Sequence, residues 1–398
     1  MELKTSHFKL HYENGAVRWL KSGDTEIVRM IYSAVRDHNW GTIEPEIVRE
    51  KFVECETGFQ IETCVKYKKN DIYFESDYKI TGTGNQLIFE MNGEAKSTFM
   101  TNRVGFCVLH PIKECAGKSC TVFHPDETSE KRHFPELISP VQPMKNISVM
   151  EWEPGKNIRA KLQFSGDIFE MEDQRNWTDA SYKTYCRPLG LLFPFEIKKG
   201  EKIVQKIVLK IHKNSVVESE ENEIVTFKID KNRTFKISKT GIGVTSRKEP
   251  LEMPEAEILK QLPLKHLLAE LKLYEQNWQW VASRIIEESA LLELPLFLVL
   301  YLSENFKIEL KTLQNTFQNK NIKVKYVLVV GKKHLPDDLI FDEVFPELKN
   351  LFSDAKIGAG VNAYFAELNR TRPQSENAEF ISFAVCPQVH AFDNATLI

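Results

Sequence analysis

Residues 295–332, PLFLVLYLSENFKIELKTLQNTFQNKNIKVKYVLVVGK, contain a strand, a helix and a second strand in succession. The apolar runs PLFLVLYLS and VKYVLVVGK are typical of strands that are covered on both faces of a parallel sheet. From Phe306 to Lys320, apolar residues recur at the 3.6-residue spacing of an amphipathic helix. The stretch therefore predicts a βαβ unit with a right-handed crossover.

The same alternation of strands and helices is predicted over most of the C-terminal half. Further apolar runs begin near Gly241, His266, Lys356 and Glu379, and a second amphipathic helix is predicted from residue 277 to 292. Either an open doubly wound sheet or a (β/α)8 barrel would satisfy this pattern. We favour the barrel, because no GxGxxG loop follows the first strand and polar residues end several strands.

The predicted barrel has too few residues to close. A complete barrel needs about 250 residues, whereas this region spans only residues 224–398 and holds six strands. We therefore expect an incomplete (β/α)8 barrel of TIM type, interrupted near Ile398. A short strand pair is predicted around residues 225–237, before the first βα unit.

In the N-terminal half, apolar and polar residues alternate with a period of two. Phe8, Leu10 and Tyr12 alternate with polar residues and lead into Asn14-Gly15, which is the strongest short signal for a β-hairpin. Similar alternating runs recur up to residue 212, and an acidic stretch follows at 214–223. We predict a β-sandwich over residues 1–213, within a multidomain α and β protein.

Composition narrows the classes of partner. The formal net charge is -3 and there is no basic excess, which argues against nucleic acid and anionic lipid. No apolar window approaches the roughly 20 residues of a membrane helix, and the first residues lack a signal-peptide core. We expect a cytoplasmic protein.

Seven cysteines without CxxC pairing predict reduced, mostly buried thiols. A zinc site is an alternative for Cys107, His110, Cys115, Cys120 and His124, but the paired spacing of such sites is absent. We expect no cofactor and leave a divalent metal requirement open.

Polar residues at the carboxyl ends of the parallel strands are the candidate site, because ligands of βα folds bind there. Glu270 follows the second strand, and it could alternatively pair with a neighbouring lysine. His390 follows the sixth, and it could alternatively cap the next helix. The candidates after the second, fifth and sixth strands are Glu270, Asn362, Tyr364, Glu367, Asn369, Arg370, Gln388, His390 and Asp393.

The polar string at residues 170–185, EMEDQRNWTDASYKTY, shows neither the two-residue alternation of a strand nor the 3.6-residue spacing of a helix. It therefore predicts a loop or irregular edge. Its Arg175, Asn176, Trp177 and Asp179 suit a saccharide-binding surface, in which an aromatic face stacks on C–H groups and polar groups bind hydroxyls. An inter-domain contact is an equally good interpretation.

Several longer motifs resemble the D-apionate lactonase family. They are NRVGFCVLHP at 102–111, FHPD at 123–126, FPELISPVQP at 134–143, MEDQRNWTDASYKTYCRPL at 171–189, GAGVNAYFAELNR at 358–370 and VCPQVHAFDN at 385–394. The resemblance implies hydrolysis of D-apionolactone to D-apionate in D-apiose catabolism. It also implies that family members continue past the position of Ile398, completing the barrel and adding a C-terminal β domain.

Our mechanistic hypothesis is water attack on the lactone carbonyl. Glu367 acts as general base, Glu270 or His390 protonates the leaving ring oxygen, and Asn369 and Arg370 hold hydroxyls or the oxyanion. Two alternatives stay open. One is a glycoside hydrolase with paired carboxylates. The other is a non-catalytic or vestigial carbohydrate-binding protein, with a partner or second chain supplying the missing strands.

Overall fold

The computed structural model describes residues 1–55, 57–213, 229–247, 249–318, 320, 322–331, 338–374 and 376–386. These residues fall into two compact units, which meet in sequence between Glu223 and Ile224. Each unit is described by itself.

The regular elements in the described part of the N-terminal unit are almost all strands. Its elements are β1 (Glu2–Lys4), β2 (Lys9–Glu13), β3 (Ala16–Ser22), β4 (Thr25–Asp37), β5 (Glu46–Cys55), β6 (Gly58–Lys69), β7 (Ile72–Thr83), β8 (Gln86–Ala95), β9 (Phe99–Pro111), helix α1 (Ile112–Cys115), β10 (Ser119–Phe123), β11 (Ser129–His133), β12 (Met144–Ile147), β13 (Val149–Gly155), β14 (Ile158–Ser165), β15 (Phe169–Asp173), a 3-10 turn (Gln174–Trp177), β16 (Ser181–Cys186), β17 (Phe195–Ile197) and β18 (Lys202–Lys213).

These strands form two nine-stranded sheets. The first has the order β1-β2-β3-β4-β9-β16-β15-β12, with β17 also paired to β9, and the second has the order β11-β10-β13-β14-β18-β8-β7-β6-β5. Side chains from both sheets fill one hydrophobic core. Phe89 of the second sheet and Phe106 of the first pack edge to face, with their ring centroids 4.8 Å apart. The predicted β-sandwich is confirmed.

The predicted Asn14-Gly15 hairpin is also confirmed. Tyr12 pairs with Val17 on either side of it, so β2 and β3 are joined by a two-residue loop. Asn14 and Gly15 have φ values of 48° and 75°. A type I′ turn requires a positive φ at both central residues, and these two residue types tolerate it best.

The polar string at 170–185 is not a loop, and that prediction is wrong. It forms β15, the 3-10 turn and β16, and β16 lies in the interior of the first sheet between β9 and β15. The period of two is hidden because both faces of β16 are buried. Polar side chains pair with one another there, as Tyr185 does in donating to Glu170 at 2.8 Å.

The strand pair predicted around residues 225–237 is not found where it can be checked. Residues 225–228 lie outside the described residues, and residues 229–237 form no strand. The stretch 229–237 is exposed throughout. Although apolar and polar residues alternate in this segment, it pairs with no described strand and covers no core.

His110 is a fully buried histidine in the sandwich core, between the rings of Phe134 and Trp152. Its Nε2 lies 2.8 Å from Thr184 Oγ1. Burial disfavours the charged imidazolium and lowers the pKa of His110 from 6.5 to about 3. Within the described residues, its Nδ1 has no hydrogen-bond partner.

We expect His110 to make the fold acid-sensitive. Between pH 6.5 and about 3 the unfolded chain binds a proton that the folded chain refuses, so the free energy of unfolding falls as the pH drops through this window. The slope from this one group is at most about 1.4 kcal/mol per pH unit. Urea unfolding at pH 7 and pH 4.5 should show a smaller loss for His110→Gln than for the wild type. The exposed His133→Gln is the control, and equal losses in all three proteins would contradict the assignment.

The C-terminal unit alternates strands and helices. Its described elements are β19 (Ile242–Gly243), α2 (Met253–Lys260), β20 (Leu267–Lys272), α3 (Trp278–Leu292), β21 (Leu296–Leu302), α4 (Phe306–Phe317), β22 (Val324–Gly331), α5 (Asp338–Leu351), β23 (Lys356–Tyr364), α6 (Phe365–Arg370) and β24 (Ile381–Ala384).

The strands form one parallel sheet in the order β19-β20-β21-β22-β23-β24. The order never reverses, which excludes the doubly wound arrangement for these strands. Apolar side chains on one face of the sheet share a core with the helices. A smaller cluster on the other face contains Val299, Tyr301, Leu328 and Val330. The described strands are six strands of a TIM-type barrel, as expected, with helices outside and side chains inside.

The interior begins with a layer of rings near the amino ends of the strands. Ring centroids of His266, Phe297, Tyr326 and Phe380 lie between 5.5 and 6.2 Å from their neighbours. A Cβ on Gly358 would come within 2.6 Å of the Phe380 ring. Glycine at this position of β23 lets the layer close.

Candidate active site at the carboxyl ends of the parallel strands

Three polar side chains meet on the inner face of the parallel sheet, above the layer of rings. They are Glu270 of β20, Tyr301 of β21 and Asn362 of β23. Glu270 pairs in register with Val299. Because side chains alternate along a strand, Tyr301 two residues later lies on the same face and nearer the carboxyl end.

The Glu270 carboxylate receives two hydrogen bonds. The Tyr301 hydroxyl donates to Oε2 at 3.1 Å, and the Asn362 amide donates to Oε1 at 2.9 Å. The same Asn362 amide also donates to the Tyr301 hydroxyl oxygen. Since one carboxylate oxygen accepts a bond from the adjacent strand β21 and the other from β23, the carboxylate is held in one orientation.

Burial differs sharply within this trio. Tyr301 is fully buried, whereas Glu270 is exposed. Burial raises the pKa of Tyr301, and the nearby Glu270 carboxylate raises it further. The phenol therefore stays a hydrogen-bond donor at neutral pH. The arrangement presents a solvent-accessible carboxylate, fixed from behind, beside a protonated phenol.

Tyr301 was not among the residues singled out from the sequence. The signal for it was present, because strict alternation in PLFLVLYLS places Phe297, Val299 and Tyr301 on one face. The run is apolar on both faces, however, so the phenol resembles another core ring until the sheet brings Glu270 next to it.

Glu367, the predicted general base, lies in α6 directly after β23 and is half-buried. Its Oε2 is buried and has no hydrogen-bond partner among the described residues. A buried carboxylate oxygen without a partner is costly in a fold. Glu367 therefore remains a candidate catalytic residue.

The other predicted residues of this half are in varied positions. Asn369 is buried and accepts a hydrogen bond from Arg372 at 2.7 Å, while Arg370 is exposed. Tyr364 is 37% exposed at the carboxyl end of β23. Gln388, His390 and Asp393 lie outside the described residues.

Arg175 and Asn176 of the N-terminal unit have structural partners. Arg175 donates to both carboxylate oxygens of Asp173, at 2.9 and 2.7 Å, and to the carbonyl oxygens of Pro135 and Glu136 at 2.8 and 2.9 Å. Asn176 donates to the Ser139 carbonyl oxygen at 2.7 Å. These bonds tie the 3-10 turn to the segment 135–139.

Trp177 and Asp179, the other two predicted saccharide-binding residues, are half-buried at the same turn. Asp179 lines a cavity within the N-terminal unit. The saccharide-binding surface therefore stays a prediction, with Asp179 its best-placed member.

Metal-ligating side chains are not gathered within the described residues: no three His, Cys, Asp or Glu side chains form a group that could hold an ion. Cys107, Cys115, Cys120 and Cys186 are buried free thiols. Nor is any described helix both long and apolar enough to cross a membrane.

Comparison with known proteins places the chain in a family. A family model described as the N-terminal domain of D-apionate lactonase matches residues 1–214, and a model described as the TIM barrel domain of D-apionate lactonase matches residues 240–398. The chain belongs to the D-apionate lactonase family. The TIM-barrel match agrees with the sequential parallel sheet and its covered outer face.

A curated relative of this lactonase family supports the same assignment. The D-apionate lactonase of Brucella anthropi is 28% identical over an alignment of 420 positions, which spans the whole chain and 68% of the relative's length. The match to a lactonase over both units favours neither the glycoside-hydrolase nor the non-catalytic alternative.

Solved structures resemble the lactonase-family chain only weakly. A protein of Synechocystis sp. PCC 6803 covers 54% of the chain at 9% identity and a TM-score of 0.37, and 96% of that structure is matched. A putative aldose 1-epimerase of Escherichia coli K12 covers 53% at 9% identity and a TM-score of 0.36, with 98% of it matched. The α-galactosidase AgaA of Geobacillus stearothermophilus covers 93% at 10% identity and a TM-score of 0.35, with 74% of it matched. TM-scores below 0.5 do not establish a common fold.

Proposed function

We propose that this chain is a carboxylic-ester hydrolase that opens D-apionolactone to D-apionate in D-apiose catabolism. The observation that carries the proposal is the match to the D-apionate lactonase family over both units. Water adds to the lactone carbonyl carbon, and the bond from that carbon to the ring oxygen breaks. One water molecule is consumed, leaving a carboxylic acid at one end and a hydroxyl at the other.

In the proposed mechanism, Glu270 is the general base. Its oxygens act as acceptors toward Tyr301 and Asn362, and an acceptor is what a water molecule needs in order to lose its proton. The exposed carboxylate is also open to water. This role differs from our sequence-based hypothesis, in which Glu270 is an acid and Glu367 the base.

Charge develops on the carbonyl oxygen as the water attacks. The single Tyr301 phenol proton and both Asn362 amide protons are already donated around Glu270, so we propose Asn369 and Arg370 as the groups that hold this oxyanion. Glu367, with its unpartnered oxygen, is the second carboxylate available, and we propose it as the group that returns a proton to the ring oxygen. His390 stays an alternative for that step, and Asn369, Arg370, Tyr364 and Asp393 stay proposed substrate contacts.

The direct test is an assay of the chain against D-apionolactone, following acid release at constant pH. We expect saturable hydrolysis that exceeds the uncatalysed rate. Repeating the assay with a chelator decides whether a divalent metal is needed. Release of sugar from an aryl glycoside without lactone opening would instead support the glycosidase alternative.

Tyr301→Phe provides a test of the donor role. The variant keeps the ring and its packing but loses the hydroxyl that donates to Glu270. A hydrogen bond to a charged group contributes about 1.5 to 3 kcal/mol, so we expect kcat for the lactone to fall about 10- to 100-fold. Tyr326→Phe, in the layer of rings, is the matched control and should retain kcat. A wild-type kcat in Tyr301→Phe would exclude the phenol from the reaction.

We further propose that the protein acts in the cytoplasm on this small sugar lactone, independently of nucleic acid and membranes. A second chain that supplies further barrel strands also remains a proposal. Light scattering of the purified chain, alone and mixed with candidate partners, would test it.

A further inference from the structure

A cavity of about 390 Å³ lies within the N-terminal unit. Such a volume falls in the range of small-molecule sites. Its walls come from segments far apart in sequence: the β2–β3 hairpin, β4, the loop at 42–45, β6, β7, β9 and the segment 174–181. Side chains from so many elements converge on one space only because the sandwich folds around it.

The polar wall includes an amide with unused hydrogen-bonding capacity. Gln174 is 1% exposed, and its Oε1 accepts a hydrogen bond from Ser181 at 2.9 Å. Its Nε2 has no hydrogen-bond partner among the described residues, although an unmade bond at a buried amide is costly. Both Gln174 and Ser181 line the cavity. A ligand oxygen near Gln174 would supply the missing acceptor.

Phenols and apolar groups form another part of the wall. The hydroxyl groups of Tyr67 and Tyr78 form a hydrogen bond with their oxygens 2.7 Å apart. Burial raises the pKa of Tyr67 to about 12. Burial also raises the pKa of Tyr78, so both phenols stay protonated. Met30 and Leu109 add apolar surface. Hydroxyl groups beside aromatic and aliphatic faces are the surroundings that sugar rings prefer, since a ring carries C–H faces and O–H edges.

The charged groups of the wall disfavour an anion. The cavity is lined by three carboxylates, those of Glu13, Glu44 and Asp179, and by two guanidinium groups, those of Arg18 and Arg29. The guanidinium groups are already paired: the Nε of Arg29 donates to Glu26 at 2.6 Å, and the Nε of Arg18 lies 3.4 Å from Glu13. A carboxylate ligand would meet excess negative charge here.

We propose that this cavity is a binding site for a neutral, polyhydroxylated molecule of about pentose size, and that it rejects the corresponding sugar acid. The site is built from residues of the N-terminal unit and does not rest on the lactonase activity. It uses Asp179, one of the residues that the sequence pointed to, but through a cavity wall rather than an open surface.

The proposal can be tested with D-xylose and D-xylonate, neither of which contains a lactone to open. Calorimetry and saturation-transfer NMR on the whole chain should show D-xylose bound at least tenfold more tightly than D-xylonate. Ala180→Trp places a bulky ring at an exposed residue of the wall and should weaken D-xylose binding at least tenfold. Gln174→Met removes the amide and should weaken it about tenfold, the value of one hydrogen bond.

Ser129→Trp, at an exposed position of β11 that does not line the cavity, is the matched control and should bind D-xylose as the wild type does. Thermal unfolding of each variant separates loss of the site from loss of the fold. Unchanged D-xylose binding in a folded Ala180→Trp protein would overturn the proposal. So would a wild-type chain that binds neither sugar, or that binds D-xylonate more tightly.

Discussion

Replacement of Glu270 by Gln is expected to lower kcat for D-apionolactone by about 10² to 10⁴-fold, the usual contribution of a general base. Glutamine keeps the size of the side chain and can still accept a hydrogen bond from Tyr301 or Asn362. It lacks the basicity needed to take a proton from water. The KM should change far less than kcat, because the substrate still fits.

The experiment compares three Glu→Gln variants by initial rates. Glu270→Gln tests the proposed base, and Glu367→Gln tests the second carboxylate. Glu275→Gln is the control, because Glu275 follows the same strand β20 but pairs with Lys272 at 3.5 Å. We expect the control to match the wild type. Near-normal turnover in Glu270→Gln together with a large loss in Glu367→Gln would restore our sequence-based assignment of the base.

The second large effect is expected on stability. Arg175→Met should lower the free energy of unfolding by about 3 to 5 kcal/mol, the usual cost of breaking a buried ion pair by removing one partner. The side chain of Asp173 is fully buried, so it would lose its counter-ion in an environment without water. The carbonyl oxygens of Pro135 and Glu136 would lose their donor as well.

Guanidinium chloride unfolding of Arg175→Met and of Arg159→Met provides the comparison. Arg159 is 64% exposed and lies 3.5 Å from Glu153, so its loss should cost no more than about 1 kcal/mol. A folded Arg175→Met protein with wild-type stability but weakened ligand binding would contradict the structural role. It would support the saccharide-binding role that the sequence suggested.

Local patterns predicted the architecture because each pattern has one physical cause. Asn14-Gly15 set the β2–β3 hairpin through its positive φ values, and the two apolar runs of the βα region contain the neighbouring parallel strands β21 and β22. These signals are local, since they depend on backbone conformation and on which faces of a strand are covered.

The parts that could not be predicted depend on contacts between distant residues. Lys183 of β16 is 1% exposed, and its ammonium group lies 3.2 Å from Glu172. Nothing in the string itself shows that such charges are paired and buried, so residues 170–185 resembled a surface loop. Likewise, Tyr301 acquires its role only through Glu270 and Asn362, which are 31 and 61 residues away.

The layer of rings around Phe297 and Phe380 limits access to the proposed catalytic residue Glu270. The rings pack against one another near the amino ends of the strands and leave that side of the sheet interior filled. Within the described residues, this layer blocks passage at the amino ends of the strands, so a molecule held at Glu270 is reached from the carboxyl-end side of the layer.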